Sequence, residues 1–337
     1  MAFMEMQEAL SVTYDPPKST RSGDLVEINF NSSRGGLELA HDKIRIDIPG
    51  LGHAVREVWS LGQEANPAVE YGGEGPIVWG DTGTSFVCAA QMDDEDELAD
   101  RVAQLYRCAL DVIKARGYSH PYRIWNYIGN INAPNSRGLE RYRDFCKGRA
   151  EGFDTSRTPF NDLPAGTGIG FASGGVTAIF FSSKQGRFFH IENPLQMPAY
   201  HYPDQYGPRS PSFARGTIHA LSGEAHLFIS GTASVRSHET IGSTVDEQLR
   251  ITFENIETLI ENGRLKLIGE GRRIRGGGFE SAKIYVRHES DLRRVAARAR
   301  EHFKLDAEQA PALLSDICRT DLLLEIEGVY KFSLYEN

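Results

Sequence analysis

The chain has 337 residues, 40% hydrophobic and 25% charged, an ordinary globular balance with enough length for one large or two medium domains. Its formal charge of −9 argues against nonspecific nucleic-acid binding, so an anionic ligand would need a local basic pocket. No apolar run reaches the length of a membrane span, the first ten residues carry glutamates rather than a basic leader, and Cys88, Cys108, Cys146 and Cys318 are too scattered for a zinc ribbon or a disulfide framework; a reducing cytoplasm is expected.

Residues 1–20, with Pro16-Pro17-Lys18-Ser19 near their end, read as a poorly structured lead-in or an added edge strand. Asp93 to Gly117 predicts a helix. Acidic residues at its start suit the positive end of the helix dipole, Leu98, Val102, Leu105, Ala109 and Ile113 share one face, and Arg116-Gly117 is a stop signal. Tyr122 to Ile128 predicts a strand, Gly138 to about Gly152 a second helix, and 168–181 is apolar strand material. The same order then returns. Thr244 to Gly263 is a helix with Leu249, Phe253, Ile256 and Ile260 on one face, ending in Asn-Gly; after a long arm come a strand from Ser281 to Arg287, an arginine-rich helix from Asp291 to Phe303 and a final strand from Leu322 to Tyr330. Helix, strand, helix, strand, twice over, predicts two diverged copies of one α+β unit.

The final strand carries Glu325 and Glu327 on one face, because strand side chains alternate with a period of two. A carboxylate among Leu322, Leu323, Leu324, Ile326 and Val329 is costly unless it is paired, edge-exposed or protonated. Two readings stay open: paired surface carboxylates on a half-exposed strand, or a proton donor lining a pocket. Other motifs point nowhere specific. Gly166-Thr167-Gly168-Ile169-Gly170 lacks the Lys-Ser/Thr of a phosphate loop, and His190, His201, His219, His226 and His238 form no zinc-ligand pair. Arg272-Arg273-Ile274-Arg275-Gly276-Gly277-Gly278 predicts a flexible basic loop between strands rather than an RNA-binding arm, with the option of steering an anion inward.

The second half resembles the small trimeric enamine/imine deaminases of YjgF-like fold in Ile229-Ser230-Gly231-Thr232-Ala233, Gln248, Asn255, Ile284-Tyr285-Val286 and Leu324-Glu325-Ile326-Glu327, with Arg319 as a loose counterpart of their arginine before the last strand. Over roughly 70–330 the chain resembles the chorismatases, which use a tandem version of that fold. The resemblance rests on Tyr122-Arg123-Ile124-Trp125-Asn126-Tyr127-Ile128, Asn130-Ile131-Asn132, the stretch from Gly138 to Phe145, Gly148-Arg149-Ala150, the stretch from Leu163 to Gly170, and Pro211-Ser212-Phe213-Ala214-Arg215. It implies an α+β fold of two diverged YjgF-like (chorismate-mutase-like) units packed as a pseudo-oligomer, with mixed sheets and helices on one face. The division expected is a lead-in over 1–20, a first unit over 21–190 and a second over 191–337 with the catalytic glutamate. It also implies cleavage of chorismate to pyruvate without metal or organic cofactor, by a cytoplasmic monomer with no nucleic-acid or membrane partner. The pairing of Gly231 with Cys318, seven residues before Glu325, points to the branch that makes 3-hydroxybenzoate. Hydrolysis to a cyclohexadiene diol, imine deamination and non-catalytic binding of an aromatic acid are the alternatives.

Chorismate has two carboxylates, a ring hydroxyl and a vinyl ether, so its site needs cationic clamps, a proton donor and a cavity that excludes bulk water. Arg149 and Arg215 are the expected clamps, with Tyr142 adding a hydrogen bond; Arg149 otherwise caps the end of its helix, and Arg141 and Arg143 are solvated or structurally paired. Glu325 is the expected general acid, kept protonated by burial and by Glu327. Cys318 is a proton donor or transient nucleophile in aromatisation, or a buried structural thiol. Gly231 leaves room for the ring or for Cys318, or marks a bulge.

Overall fold

The structure is a computed structural model, described for residues 10–15, 23–40, 42–50, 52–61, 68–119, 121–159 and 162–335; the lead-in expectation for 1–9 and 16–20 lies outside them. Three sheets build it. The first holds β1 (Ser11–Tyr14), β2 (Asp24–Ser32), β3 (Gly36–Ala40), β4 (Lys43–Pro49) and β5 (Val55–Ser60) in the order β1-β5-β2-β4-β3, so the described part of the lead-in is an edge strand. The second holds β6 (Glu70–Glu74), β7 (Ile77–Asp81), β8 (Ser85–Met92), β9 (Pro121–Gly129), β10 (Ala165–Phe171) and β11 (Val176–Ser183), in the order β10-β9-β11-β8-β7-β6. Helix α1 (Ala99–Ala115) joins β8 to β9, and α2 (Arg141–Thr155) joins β9 to β10.

The third sheet repeats that plan. It holds β12 (Arg187–Ile191), β13 (Gly216–Ala220) and β14 (Glu224–Thr232); then, past a small ribbon of β15 (Val235–Arg236) and β16 (Glu239–Thr240), β17 (Ile274–Val286), β18 (Ala312–Leu314) and β19 (Leu324–Leu334). The order is β12-β13-β14-β19-β17-β18; α3 (Val245–Gly269) precedes β17 and α4 (Glu289–Phe303) follows it. In each six-stranded sheet one parallel pair, β9 with β10 and β17 with β18, is joined through a helix, and the other pairings are antiparallel. The predicted tandem α+β plan is therefore present, enlarged by strands at each unit's start.

Alternation assigns the faces. Phe86, Cys88, Ala90, Val176, Ala178 and Phe180 pack under α1 and α2, and Leu324, Ile326, Ala282, Ile284 and Val286 pack under α3 and α4. The opposite faces, with Trp125, Tyr127, Ile179, Phe181, Phe228, Tyr285 and Val329, meet Leu25, Ile28, Ile46 and Trp59 of the first sheet in one shared core. The first sheet, a third wall of that core, has no helix between its strands among the described residues, so it lacks the helix signals that mark the two repeats.

Several boundaries differ for identifiable reasons. Helix α1 starts at Ala99 rather than Asp93, because Asp94 accepts from Gly175 N–H and pairs with Arg141, and Asp96 accepts from Ser136 N–H; these acids hold loops instead of opening a helix. The apolar stretch 168–181 splits at Gly175, whose φ of +94° breaks the strand. Asn262-Gly263 does not stop α3, which runs on to Gly269; Asn262 Nδ2 donates to Glu192 O at 2.6 Å. The predicted flexible loop at 272–278 is corrected from Ile274 onward, which is β17 paired with β19.

Candidate active site

A cavity of about 530 Å³ opens where α2 of the first unit meets β14, β19 and the segment before β19. Tyr142, Arg215, Gly231, Cys318 and Glu325 all line it, so the fold gathers five of the six expected site residues from positions up to 183 apart in sequence (142 to 325). Tyr202, Tyr206, Phe213 and Arg319 supply the rest of the wall used here.

Glu325 lies on the shared-core face of β19 and is only 3% exposed, which rules out the surface-carboxylate reading. Burial, and then the charge of Glu327, raise its pKa to about 8 against the pull of Arg123 and Arg215. It is therefore a protonated acid at neutral pH. Gly231 sits where the β14–β19 register shifts, and a Cβ built on it would fall 1.9 Å from Glu325 Oε1. Gly231 is thus at a bulge, and the room it leaves is taken by the Glu325 carboxyl, not by Cys318. Its N–H donates to Thr167 Oγ1 at 3.0 Å.

Glu327, two residues on, has the opposite state. Burial alone would raise its pKa, but Lys283, with Nζ at 2.9 Å, and Arg123 hold it down at about 2. Trp125 Nε1 and Tyr285 OH each donate to it at 3.0 Å, and Thr167 Oγ1 donates as well. Lys283 also pairs with the fully buried Glu57 of β5 at 2.9 Å, and Trp59 Nε1 donates to Glu57 at 2.5 Å. The first sheet thereby completes a buried set of two acids and two bases.

Cys318 Sγ lies 4.0 Å from Glu325 Oε2, oriented to donate. Burial, and then Glu325, push the thiol's pKa up, so it is a neutral thiol rather than a nucleophilic thiolate. Arg215 Nη2 donates at 2.7 Å to Met197 O and to Tyr202 OH, while its Nε is buried with no hydrogen-bond partner. Arg149 lies behind the wall rather than in it. Helix α2 continues to Thr155, so Arg149 does not cap the helix; its guanidinium sits 5.3 Å from the Phe145 ring centre and 5.7 Å from that of Phe213, with Nε and Nη2 buried and unpartnered. Buried guanidinium donors are costly to leave unmade; of the two arginines only Arg215 lines the cavity, so the expected clamp at Arg149 is not found on its wall.

A family model described as chorismatase FkbO/Hyg5-like, N-terminal, matches residues 57–182. A 3-hydroxybenzoate synthase of Streptomyces hygroscopicus is 41% identical over 279 residues, 81% of this chain and 80% of the relative. The chain belongs to the chorismatase family. A chorismatase of Streptomyces rapamycinicus is 38% identical over 77% of this chain and 78% of its own, and a crystal structure of a chorismatase superposes with a TM-score of 0.87 at 32% identity, over 96% of this chain and 98% of that one.

Further residues complete the cavity wall. Arg319 lines the cavity, with Nη1 donating to His238 O at 2.9 Å and its guanidinium 4.2 Å from the Tyr206 ring centre. Its place before the last strand was the available signal. Arg143, expected to be solvated or paired, lines the mouth and pairs with Glu140 at 3.3 Å, whereas Arg141 is buried and holds Asp94. The glycines of the motif 166–170 have a steric role: a Cβ on Gly166 would meet Phe213 at 3.0 Å, and one on Gly168 would meet Tyr142 at 3.3 Å. Among the described residues no group of three or more His, Cys, Asp or Glu is placed to hold a metal, and no helix is long and apolar enough to cross a membrane. His219 and His226 are buried, which lowers both to about 4.

Proposed function

We propose that this protein cleaves the enolpyruvyl ether of chorismate to 3-hydroxybenzoate and pyruvate. The supporting observation is Glu325, a buried carboxyl protonated up to about pH 8 on the wall of a cavity that also presents Arg215 and Arg319. Chorismate is a dianion, and two guanidinium groups flanking one acid suit it; Arg149, with two unpartnered nitrogens, adds positive potential from behind Phe213.

Glu325 delivers its proton to the enolpyruvyl methylene carbon, giving an oxocarbenium ion that the new carboxylate stabilises. The ring hydroxyl, passing its proton to the Glu325 carboxylate, then attacks the neighbouring ring carbon that bears the ether, the carbon–oxygen bond breaks, and pyruvate leaves. The resulting arene-oxide-like ring opens as its oxygen takes the Cys318 proton, loses its ring proton to the Cys318 thiolate and becomes the phenol. Neither water nor an oxidant is consumed: the atoms of chorismate equal those of the two products. Cys318, a neutral thiol at 4.0 Å from Glu325, supplies the proton for ring opening, and Gly231 admits the geometry in which Glu325 and Cys318 face the same ring.

The chain is also read as a lead-in (1–20) and two units (21–190 and 191–337) that act as a monomer in a reducing cytoplasm, although β12 (Arg187–Ile191) crosses that boundary and pairs within the second unit's sheet. The monomer is supported by the shared core, where each six-stranded sheet already has its inner face covered within one chain. Light scattering on the eluting protein tests this, and a dimer or trimer mass would refute it.

The deciding experiment is incubation of purified protein with chorismate and resolution of products by liquid chromatography with mass detection. Equimolar 3-hydroxybenzoate and pyruvate are expected. The dihydroxycyclohexadiene carboxylate in their place would make the enzyme a hydrolase, and no turnover would leave only a binding or deaminase role.

A further inference from the structure

Cys318 and Arg319 sit in a segment, 315–323, that runs from β18 to β19 without forming a strand, so something else must fix it. Arg287, the residue after β17, lies outside the cavity lining and is 12% exposed. All five of its guanidinium donors are used. Nη2 donates to the carbonyls of Ile317 at 3.1 Å and Arg319 at 2.8 Å, the residues on either side of Cys318. Nε donates to Leu322 O at 2.8 Å, and Nη1 to Asp316 Oδ1 at 2.7 Å and Asn132 Oδ1 at 3.3 Å. Four of the five bonds hold the segment and the fifth ties it to the first unit.

The other side of the segment is braced by β10. Gly170 N–H donates to Asp316 O at 2.8 Å, and Ser315 Oγ donates to Gly170 O at 2.5 Å. A Cβ on Gly170 would fall 2.7 Å from Asp316 Cβ, so the last glycine of the 166–170 motif is what lets the segment dock. Gln248 of α3 pins the far end, donating to Asp321 O and accepting from Leu323 N–H, both at 2.8 Å.

We propose that Arg287 is a positioning residue for product selectivity, holding the carbonyls around Cys318 so that its thiol faces Glu325; this rests on the role given above to Cys318. A lysine keeps the charge but cannot grip several carbonyls with one planar fork. Loss of about 1 Å in placement is enough to slow a step by one to two orders of magnitude, so ring opening would lose to capture by water.

The test is the ratio of 3-hydroxybenzoate to pyruvate in Arg287→Lys, Asp316→Ala and Cys318→Ala, with circular dichroism and melting temperature alongside. In R287K the ratio is expected to fall about tenfold with diol making up the balance, and in D316A to fall less, since the carbonyl bonds remain. Asp316 is partly exposed, its side chain 42% accessible, so D316A carries the test if R287K does not fold. C318A separates the two claims. A changed ratio in C318A with wild-type ratios in folded R287K and D316A overturns the positioning role while leaving Cys318 in place. A wild-type ratio in C318A removes Cys318 from the chemistry and the inference with it, whatever R287K does.

Discussion

Strands β11 and β19 hold the same place in their two units, yet they carry opposite kinds of side chain into the shared core. In β11 the inward residues include Ile179 and Phe181, registered against Trp125 and Arg123 of β9. In β19 they include Glu325 and Glu327, registered against Tyr285 and Lys283 of β17. Topology is shared, so it does not decide where acids go. What decides is the counter-charge available: Arg123 from the first unit reaches across to Glu327, Lys283 meets it from β17, and Glu57 from the first sheet balances Lys283. Glu325 receives no such partner and stays protonated. The unit that kept an apolar strand supplies part of the electrostatics for the one that did not.

Breaking that contrast at its reactive end should have the largest effect. Glu325→Gln keeps the shape and removes the proton, and pyruvate release should fall about 10²–10⁴-fold with the fold retained, as measured by coupled assay and circular dichroism. Reversing the contrast in the other unit comes next. Ile179→Glu puts an acid on β11 opposite Trp125 rather than opposite a cation, and should cost about 3–5 kcal/mol in a denaturant titration, the size of an uncompensated buried charge. A stability close to wild type would mean that the frame of either unit accepts an acid.

The two acids can be told apart by pH. Glu325 has a folded pKa raised from its ordinary value of 4.5 to about 8, so its contribution is present below pH 4.5 and is lost as pH rises through 8. Glu327 is depressed from 4.5 to about 2, so its contribution is present above 4.5 and lost as pH falls towards 2. E325Q should therefore gain stability relative to wild type as pH rises from 5 to 9. E327Q should be less stable than wild type at pH 7, by an amount that shrinks towards pH 2. Melting curves across pH would show parallel behaviour if the two acids were equivalent. In turnover, the wild-type kcat/KM should decline above about pH 8 as the acid form of Glu325 disappears.

The smallest effect expected is one of product choice. Gly231→Ala places a methyl 1.9 Å from the present position of Glu325 Oε1, so the carboxyl must turn, and the share of 3-hydroxybenzoate in the products should fall. An unchanged product mixture would show that the carboxyl has room to rotate without loss of its alignment with Cys318.

Much of the site was legible because its residues are chemically odd where they stand. Glu325 and Glu327 inside an apolar run raised the question of a proton donor, and the ordered motifs around Arg149, Arg215 and Gly231 gave the family. Arg319 and Arg287 were harder, since a lone arginine at a strand end is the commonest kind of surface residue and only its partners distinguish it. The first sheet was invisible for a different reason. Among the described residues no helix lies between its strands to mark a repeat, and in Val55-Arg56-Glu57-Val58-Trp59-Ser60 the full burial of Glu57 depends on Lys283, far away in sequence.

The sequence by itself determined the repeated α+β plan, through helix-period and strand-period patterns that are local and survive without neighbours. It also determined which residue types were on hand for a dianionic vinyl ether. Only the tertiary structure decided the state of each group. Glu325 is an acid at pH 7 and Glu327 a permanent anion two residues away, because pKa is set by what lies within a few ångströms in space, and here those neighbours come from β5, β9 and β17.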